Sequence, residues 1–317
     1  MGKGKFMDLC MIIPCYNEHD ILWDSSEKLK EKLRNMMHKG KLGFSSSICF
    51  VDDGSKDDTW DIITKLCSQD KIFSGLRLAH NVGHQNAILA GMMEMRNSFD
   101  AVITMDADLQ DDIEAVEEMV DQVSLGCNIV YGVRKSRSTD TFFKRVTAEG
   151  FYKIMQFLGA RVIFNHADFR LMDKVALEAL SGFHERNLFL RGIVPMIGLR
   201  HGTVYYERKE RLAGDSKYPL KKMISFAWQG VTSLSTGPIQ LVMSMGCVIS
   251  LVSLLMMIWS VLRYLDGDTI VGWASIAVSI WFIGGLLLFS IGIVGEYIGK
   301  IYLEIKARPR YIIEEKL

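Results

Sequence analysis

Paired cysteine spacings are missing from this chain. Its six cysteines, Cys10, Cys15, Cys49, Cys67, Cys127 and Cys247, form no short pair and stand apart from histidine. That pattern excludes a sequence-readable zinc site and a disulfide framework. Five of them precede the long apolar runs, as suits a reduced cytoplasmic domain. Net charge is missing too: 37 basic side chains cancel 37 acidic ones. No global field draws such a chain to nucleic acid, and none is expected as a partner. At the N-terminus a secretory core is absent, because Met1 to Lys5 leads directly into a strand-like run. Phe6 stands where a myristoylation signal requires Ser or Thr. Membrane attachment is therefore expected from the far end.

What is present there is hydrophobic. At 317 residues, 49% of them hydrophobic, the chain can build one α/β core and still supply a small membrane part. Pro238 to Leu262 and Ile270 to Gly295 carry no charged residue. Each holds roughly 25 residues, and at about 1.5 Å per residue each can cross a hydrocarbon core of roughly 30 Å. A central Lys or Asp would cost about 2.5 to 3.5 kcal/mol. The connecting loop, Arg263 to Thr269, carries Asp266 and Asp268, while Lys217, Lys221, Lys222, Lys300, Lys306, Arg308 and Arg310 flank the other ends. By the positive-inside rule both termini are cytoplasmic. Gly295 and Gly299 have the spacing of a close helix contact, within an oligomer or within the hairpin itself.

Upstream, short apolar runs alternate with amphipathic stretches. Strands are predicted at Leu9 to Cys15, Ile48 to Val51, Leu76 to Ala79, Val102 to Met105 and Ile129 to Val133. Each is followed by a helix-like segment with a polar start, as at Asp20, Asp57 or Asp111. This alternation predicts an α/β fold, a mostly parallel sheet covered by helices on both faces, with ligands bound beyond the carboxyl ends of its strands. Two more helices are predicted, one from Thr141 to Leu158 and one from Leu220 to Leu234. The second is built either as an interface helix, with Lys221 and Lys222 off its apolar face, or as a core helix. The expected organisation is a soluble domain over 1–210, a basic juxtamembrane segment over 211–237, a two-span hairpin over 238–303 and a tail over 304–317.

The polar motifs sit where such a sheet binds ligands. Asp106 and Asp108, two apart after a buried strand, suit a hard divalent cation, which takes only one or two protein carboxylates; Gln110 is a third oxygen ligand. An N-cap role for one of Asp108, Asp111 and Asp112 is the alternative. In chain order, Pro14-Cys15-Tyr16-Asn17-Glu18, Val51-Asp52-Asp53-Gly54-Ser55 and Asp106-Ala107-Asp108-Leu109-Gln110-Asp111 resemble the family 2 glycosyltransferases of the GT-A fold. Asn81-Val82-Gly83-His84-Gln85, Ala167-Asp168-Phe169-Arg170-Leu171-Met172 and Ala213-Gly214-Asp215-Ser216-Lys217-Tyr218 narrow the resemblance. With the apolar runs behind them, they are similar to the GtrB-like polyisoprenyl-phosphate (bactoprenol) glycosyltransferases, relatives of dolichol-phosphate mannose synthase.

That resemblance implies a GT-A domain, an interface helix and two transmembrane helices. It implies transfer of one sugar, GlcNAc or glucose with a slight preference for the former, from a UDP-sugar to undecaprenyl phosphate for cell-envelope glycan modification. Transfer would invert the anomeric centre and use Mg2+ or Mn2+. Pro14, Tyr16, Glu18 and Asp53, with Asp106, would bind the nucleotide; Asp106, Asp108 and Gln110 the metal; Arg134, Lys144, Arg145, Arg211 and Lys217 the lipid phosphate. A homo-oligomer, a tetramer, and a flippase or small membrane partner are also implied.

Asp168 matches a proposed general base, but a phosphate monoester with a second pKa of about 6 is already largely ionised at neutral pH, so an orienting role is equally open. For His84 a sugar contact and a structural role are both open. Many relatives carry Pro where this chain has Asp112, which predicts a looser loop here. A processive polysaccharide synthase would need a Gln-x-x-Arg-Trp motif and more spans. A non-catalytic scaffold would have no chemical need for Asp53, Asp106 and Asp108.

Overall fold

The computed structural model describes residues 6–135, 166–186, 189–207, 237–265 and 272–317. The helices predicted over 141–158 and 220–234 lie outside them, as do Lys144, Arg145, Arg211 and Lys217. The chain divides into two compact units, residues 1–152, 161–219 and 308–317 in one, 153–160 and 220–307 in the other.

In the first unit, β1 (Leu9–Cys15), α1 (Leu22–His38), β2 (Ser47–Asp52), α2 (Thr59–Gln69), β3 (Phe73–Leu78), α3 (His84–Met95), β4 (Ala101–Thr104), α4 (Ala115–Ser124) and β5 (Ile129–Arg134) alternate. They are followed by β6 (His166–Asp173), α5 (Lys174–Ser181), α6 (Leu190–Met196) and β7 (His201–Tyr206). With β8 (Ile313–Lys316) from the far end of the chain, the strands form one eight-stranded sheet in the order β7-β5-β6-β4-β1-β2-β3-β8. Pairing is parallel for β1 with β2 and β4, β2 with β3, and β5 with β7. β6 runs antiparallel to β4 and β5.

β1 shows why its sequence reads as an unbroken apolar run. All of its residues are buried. Leu9, Met11 and Ile13 pack into one core with Leu29 of α1, Ile63 of α2 and Met119 of α4. Cys10 and Ile12 pack into the other with Leu89 of α3, Leu177 of α5 and Ile193 of α6. A strand covered on both faces needs no polar alternation. α3 approaches closely because residue 91 is glycine: a Cβ there would lie 2.5 Å from Cγ2 of Ile12 and 2.9 Å from Cγ2 of Val51.

Within the stretch expected as a tail over 304–317, the structure shows a strand. This is β8 (Ile313–Lys316), antiparallel to β3, at the sheet's edge. Gly75 and Leu317 exchange backbone hydrogen bonds of 3.2 and 2.8 Å, and Trp60 Nε1 donates to Glu315 at 3.1 Å. An Ile-Glu-Glu-Lys stretch carries no apolar pattern; the open edge of β3 supplies the partner that makes it a strand.

The second unit contains α7 (Gly237–Leu265) and α8 (Trp273–Lys306). Among the described residues one segment, Phe282–Lys306, is long and apolar enough to cross a membrane, and of its residues Ile293 alone is buried. The two-span expectation thus has one candidate segment; α7 is a helix over the whole of the other predicted span, Pro238 to Leu262.

Candidate functional site

The parallel strands β1, β2, β3 and β4 deliver their loops to a single edge of the sheet. Because β6 is antiparallel to β4, its first residues reach the same edge. The register Thr104 to Arg170 places Asp168 beyond the end of β4. Thr104 Oγ1 donates to the Asp168 carbonyl there. The loops after β1 to β4 and the start of β6 therefore line one crevice.

The first two loops are clasped together. Asn17, in the left-handed region at φ 55°, receives the Lys56 N–H at 2.9 Å and gives its own N–H to Ser55 Oγ at 3.0 Å. The Glu18 N–H donates to Thr59 Oγ1 at 2.9 Å, and the Glu18 carbonyl starts α1 by accepting from Ile21 and Leu22. Pro14 is buried within β1, Tyr16 is exposed and Glu18 is half-buried. Asp53 is buried, and its two oxygens accept the N–H groups of Val82 and Gly83 at 2.7 and 3.0 Å. Burial raises its pKa despite those donors. Gly54 permits this junction: at φ +66° a Cβ would lie 2.8 Å from the Asn81 nitrogen.

After β4 the chain turns at Leu109, whose φ is 47°, an uncommon conformation for a non-glycine residue. Burial of the Leu109 side chain holds it, together with the hydrogen bond from Ser25 Oγ to the Ala107 carbonyl at 2.7 Å. Asp108 Oδ1 accepts the Gln110 N–H at 3.2 Å. Side-chain hydrogen bonds brace the next residues of the loop. Asp112 Oδ1 takes the Glu114 N–H at 3.4 Å, and buried Asp111 receives the Tyr206 hydroxyl at 2.5 Å. Arg134, at the end of β5, donates from Nε to that hydroxyl at 3.3 Å and lies 3.7 Å from Asp111. Arg134 thus has protein partners beside the crevice.

Asp106 is the electrostatic centre. Burial raises its carboxyl, and the negative charge of Asp111, Asp168 and Asp108 adds to this against the pull of His84, leaving it at about 6. His84 Nε2 lies 3.4 Å from Asp106 Oδ1 and 3.8 Å from Asp168 Oδ2. Buried Gln110 Oε1 has no hydrogen-bond partner. Crowded carboxylates and an orphaned amide oxygen suit a hard divalent cation. Among the described residues no three His, Cys, Asp or Glu side chains form a cage, so water and phosphate oxygens would complete the shell.

Asp168 is held differently. Arg170, fully buried, donates from Nη2 to its Oδ1 at 2.5 Å; Arg191 donates from Nη2 to its Oδ2 at 2.8 Å and from Nε to its Oδ1 at 3.3 Å. Burial alone would raise this carboxyl, but the two guanidiniums hold it well below the usual carboxylate range. Such a group is a poor proton acceptor. Arg191 and Tyr206 escaped the sequence reading, since each meets its partner only through the fold.

The Glycosyl transferase family 2 model matches residues 10–181, from β1 to the end of α5. The chain is 51% identical over 306 residues to the uncharacterized glycosyltransferase YkoT of Bacillus subtilis, covering 96% of this chain and 91% of that one. It is 36% identical over 311 residues to the bactoprenol glucosyl transferase of Shigella phage SfII, covering 98% of both. Among solved structures it is similar to mannosyl-3-phosphoglycerate synthase from Rubrobacter xylanophilus, at 13% identity and a TM-score of 0.46 over 72% of this chain and 73% of that one. The chain is a glycosyltransferase and belongs to glycosyl transferase family 2.

Proposed function

We propose that this enzyme transfers a single glucose from UDP-glucose to undecaprenyl phosphate at the cytoplasmic face of a membrane, inverting the anomeric centre. The observation that carries the reading is the extent of the likeness to proteins named bactoprenol glucosyl transferase. It covers 98% of the chain, and so includes α7 and α8 as well as the sheet. Those names favour glucose over the N-acetylglucosamine that the sequence slightly suggested. The exposed apolar segment of α8, with α7 as the second span of a hairpin, supports placement at a bilayer.

In this reading the crevice holds the nucleotide between the β1 and β2 loops, at Pro14, Tyr16, Glu18 and Asp53. Asp106, Asp108 and Gln110 would hold Mg2+ or Mn2+, which when bound supplies positive charge against the diphosphate leaving group. The ionised acceptor phosphate attacks the anomeric carbon from the face opposite UDP, and UDP departs with the electrons of the broken bond. No base is required for that step. Lys144, Arg145, Arg211 and Lys217, with Arg134, are the basic positions for the lipid phosphate.

The test is incubation of the purified full chain and undecaprenyl phosphate with UDP-glucose, UDP-GlcNAc and GDP-mannose, followed by weighing of the lipid. A gain of one hexose from UDP-glucose is expected, lost in chelator and restored by Mg2+ or Mn2+. A gain of N-acetylhexosamine alone would overturn the choice of sugar, and undiminished turnover in chelator the metal assignment.

A further inference from the structure

Asp52 closes β2 with a fully buried carboxylate of which one oxygen alone is hydrogen-bonded. Oδ1 accepts the Ser55 N–H at 3.2 Å, whereas Oδ2 is buried without a hydrogen-bond partner. A buried acceptor left unpaired is costly, and a buried charge more so. Burial raises the Asp52 carboxyl, and Ser55 and Arg77 pull against it. The sheet brings Arg77 there: residues 52 and 77 are partners across β2 and β3, and Arg77 Nε lies 4.0 Å from Oδ2. Because Asp52 is out of water, that attraction is screened far less than one between two surface charges.

Arg77 is in turn held by the last strand of the chain. β8 pairs Ile313 with Leu78 and Glu315 with Arg77, so Glu314 is an extra residue opposite β3. A bulge of this kind re-aims side chains that strict alternation would send to opposite faces. Glu314 reaches Arg77 Nε at 3.5 Å, and Glu315 accepts from Trp60 Nε1 at 3.1 Å. The Trp60 ring lies beside the same arginine, its centre 5.7 Å from the guanidinium carbon. Gly75 leaves room for that ring, since a Cβ there would lie 3.3 Å from two of its carbons.

Asp52 is also the root of the clasp at the crevice. It holds Ser55, Ser55 Oγ accepts the Asn17 N–H at 3.0 Å, and Asn17 Oδ1 accepts the Lys56 N–H at 2.9 Å. We propose that Arg77 is a positioning residue of the donor site: oriented by Glu314 and Trp60, it counters the buried charge of Asp52 and so keeps the loops after β1 and β2 clasped for a nucleoside diphosphate. The inference rests on the transferase reading and makes the C-terminal strand a part of the donor site.

The experiment uses the full chain in detergent with Arg77→Gln, Arg77→Lys, Glu314→Gln, Asp52→Asn and the Arg77→Gln/Asp52→Asn double variant. Arg77→Gln should raise KM for UDP-glucose about tenfold, while kcat and KM for undecaprenyl phosphate change less than about twofold. Arg77→Lys keeps the charge and should restore most of the donor KM, and Glu314→Gln should give a smaller rise of the same kind. With Asp52→Asn no charge remains to be countered, so Arg77→Gln should add less than about twofold in that background. An unchanged donor KM, equal losses in kcat and both KM values, or fully multiplicative defects in the double variant would overturn the proposal. Hydrogen exchange of the substrate-free protein, read by mass spectrometry, separates this from failure of the transferase reading. Faster exchange over residues 16–18 and 52–57 in Arg77→Gln than in wild type, with β1 and β4 unchanged, supports the positioning role even if UDP-glucose is not the donor. Equal exchange in those loops overturns it.

Discussion

Asp168 separates two chemical roles by their response to pH. A carboxyl held below its ordinary range stays ionised at every pH above that range and loses its charge only in strong acid. It therefore has no proton to exchange near neutrality. Asp168→Asn is expected to lower kcat/KM by one factor from pH 6 to pH 9. A base would instead give a deficit of about 10² to 10⁴-fold that shrinks as the acceptor ionises, and a rate profile over that range distinguishes the two. Tyr206 makes a second residue-scale case. Tyr206→Phe leaves buried Asp111 without its hydroxyl donor, which should cost about 1 to 3 kcal/mol. Thermal unfolding measures this, and a weakened metal response should accompany it because Asp111 follows the Asp106 to Gln110 turn. The sequence showed Asp106, Asp108 and Gln110 because they stand together on one loop. Arg191 and Tyr206 act on carboxylates 23 and 95 residues away, and no local pattern marks a charge whose partner is brought to it by topology.

At the scale of elements, legibility followed burial. β1 through β5 were readable to within three residues at each end, because strands covered on both faces must be apolar. β6 was quoted as a motif and not as a strand, since its buried Asp168 and Arg170 neutralise each other and interrupt the apolar run. β7 lies at the sheet's edge with His201 and Tyr205 exposed, and β8 is mostly charged. Both depend on partners the sequence does not place beside them. β8 also yields a prediction. Deleting 308–317 removes the Leu317 and Gly75 exchange, the Ile312 to Ala79 bond and the Trp60 contact, with each backbone bond worth about 0.5 to 1.5 kcal/mol. It also takes Glu314 from Arg77, which stands 3.5 Å from it and 4.0 Å from buried Asp52 at the end of β2, next to the Asp53 proposed to bind the nucleotide. The deletion should lower Tm and raise KM for the donor more than for the lipid. An unchanged Tm would show that β8 is dispensable to the sheet.

For the whole molecule, the proposed function limits the length of the product. α7 and α8 are the two long helices of the second unit, and on the proposed reading they form one hairpin. Side chains of α8 such as Leu288 and Ile305 are 72% and 77% exposed, as a surface facing lipid would be. A hairpin can hold an active site beside a bilayer, but within one chain it cannot enclose a polar conduit for a growing glycan. The acceptor chemistry points the same way. The attacking group is a phosphate oxygen, and once glycosylated it is a diester with no second ionisation to regenerate a comparable nucleophile. A second transfer would need a hydroxyl acceptor and therefore a base, whereas Asp168, beside the crevice, is clamped by Arg170 and Arg191. On the proposed reading the lipid should accordingly gain one hexose and no more. Mass spectrometry of the lipid after long incubation with excess UDP-glucose tests this. One added hexose is expected, and a ladder rising by hexose units would identify a processive enzyme instead.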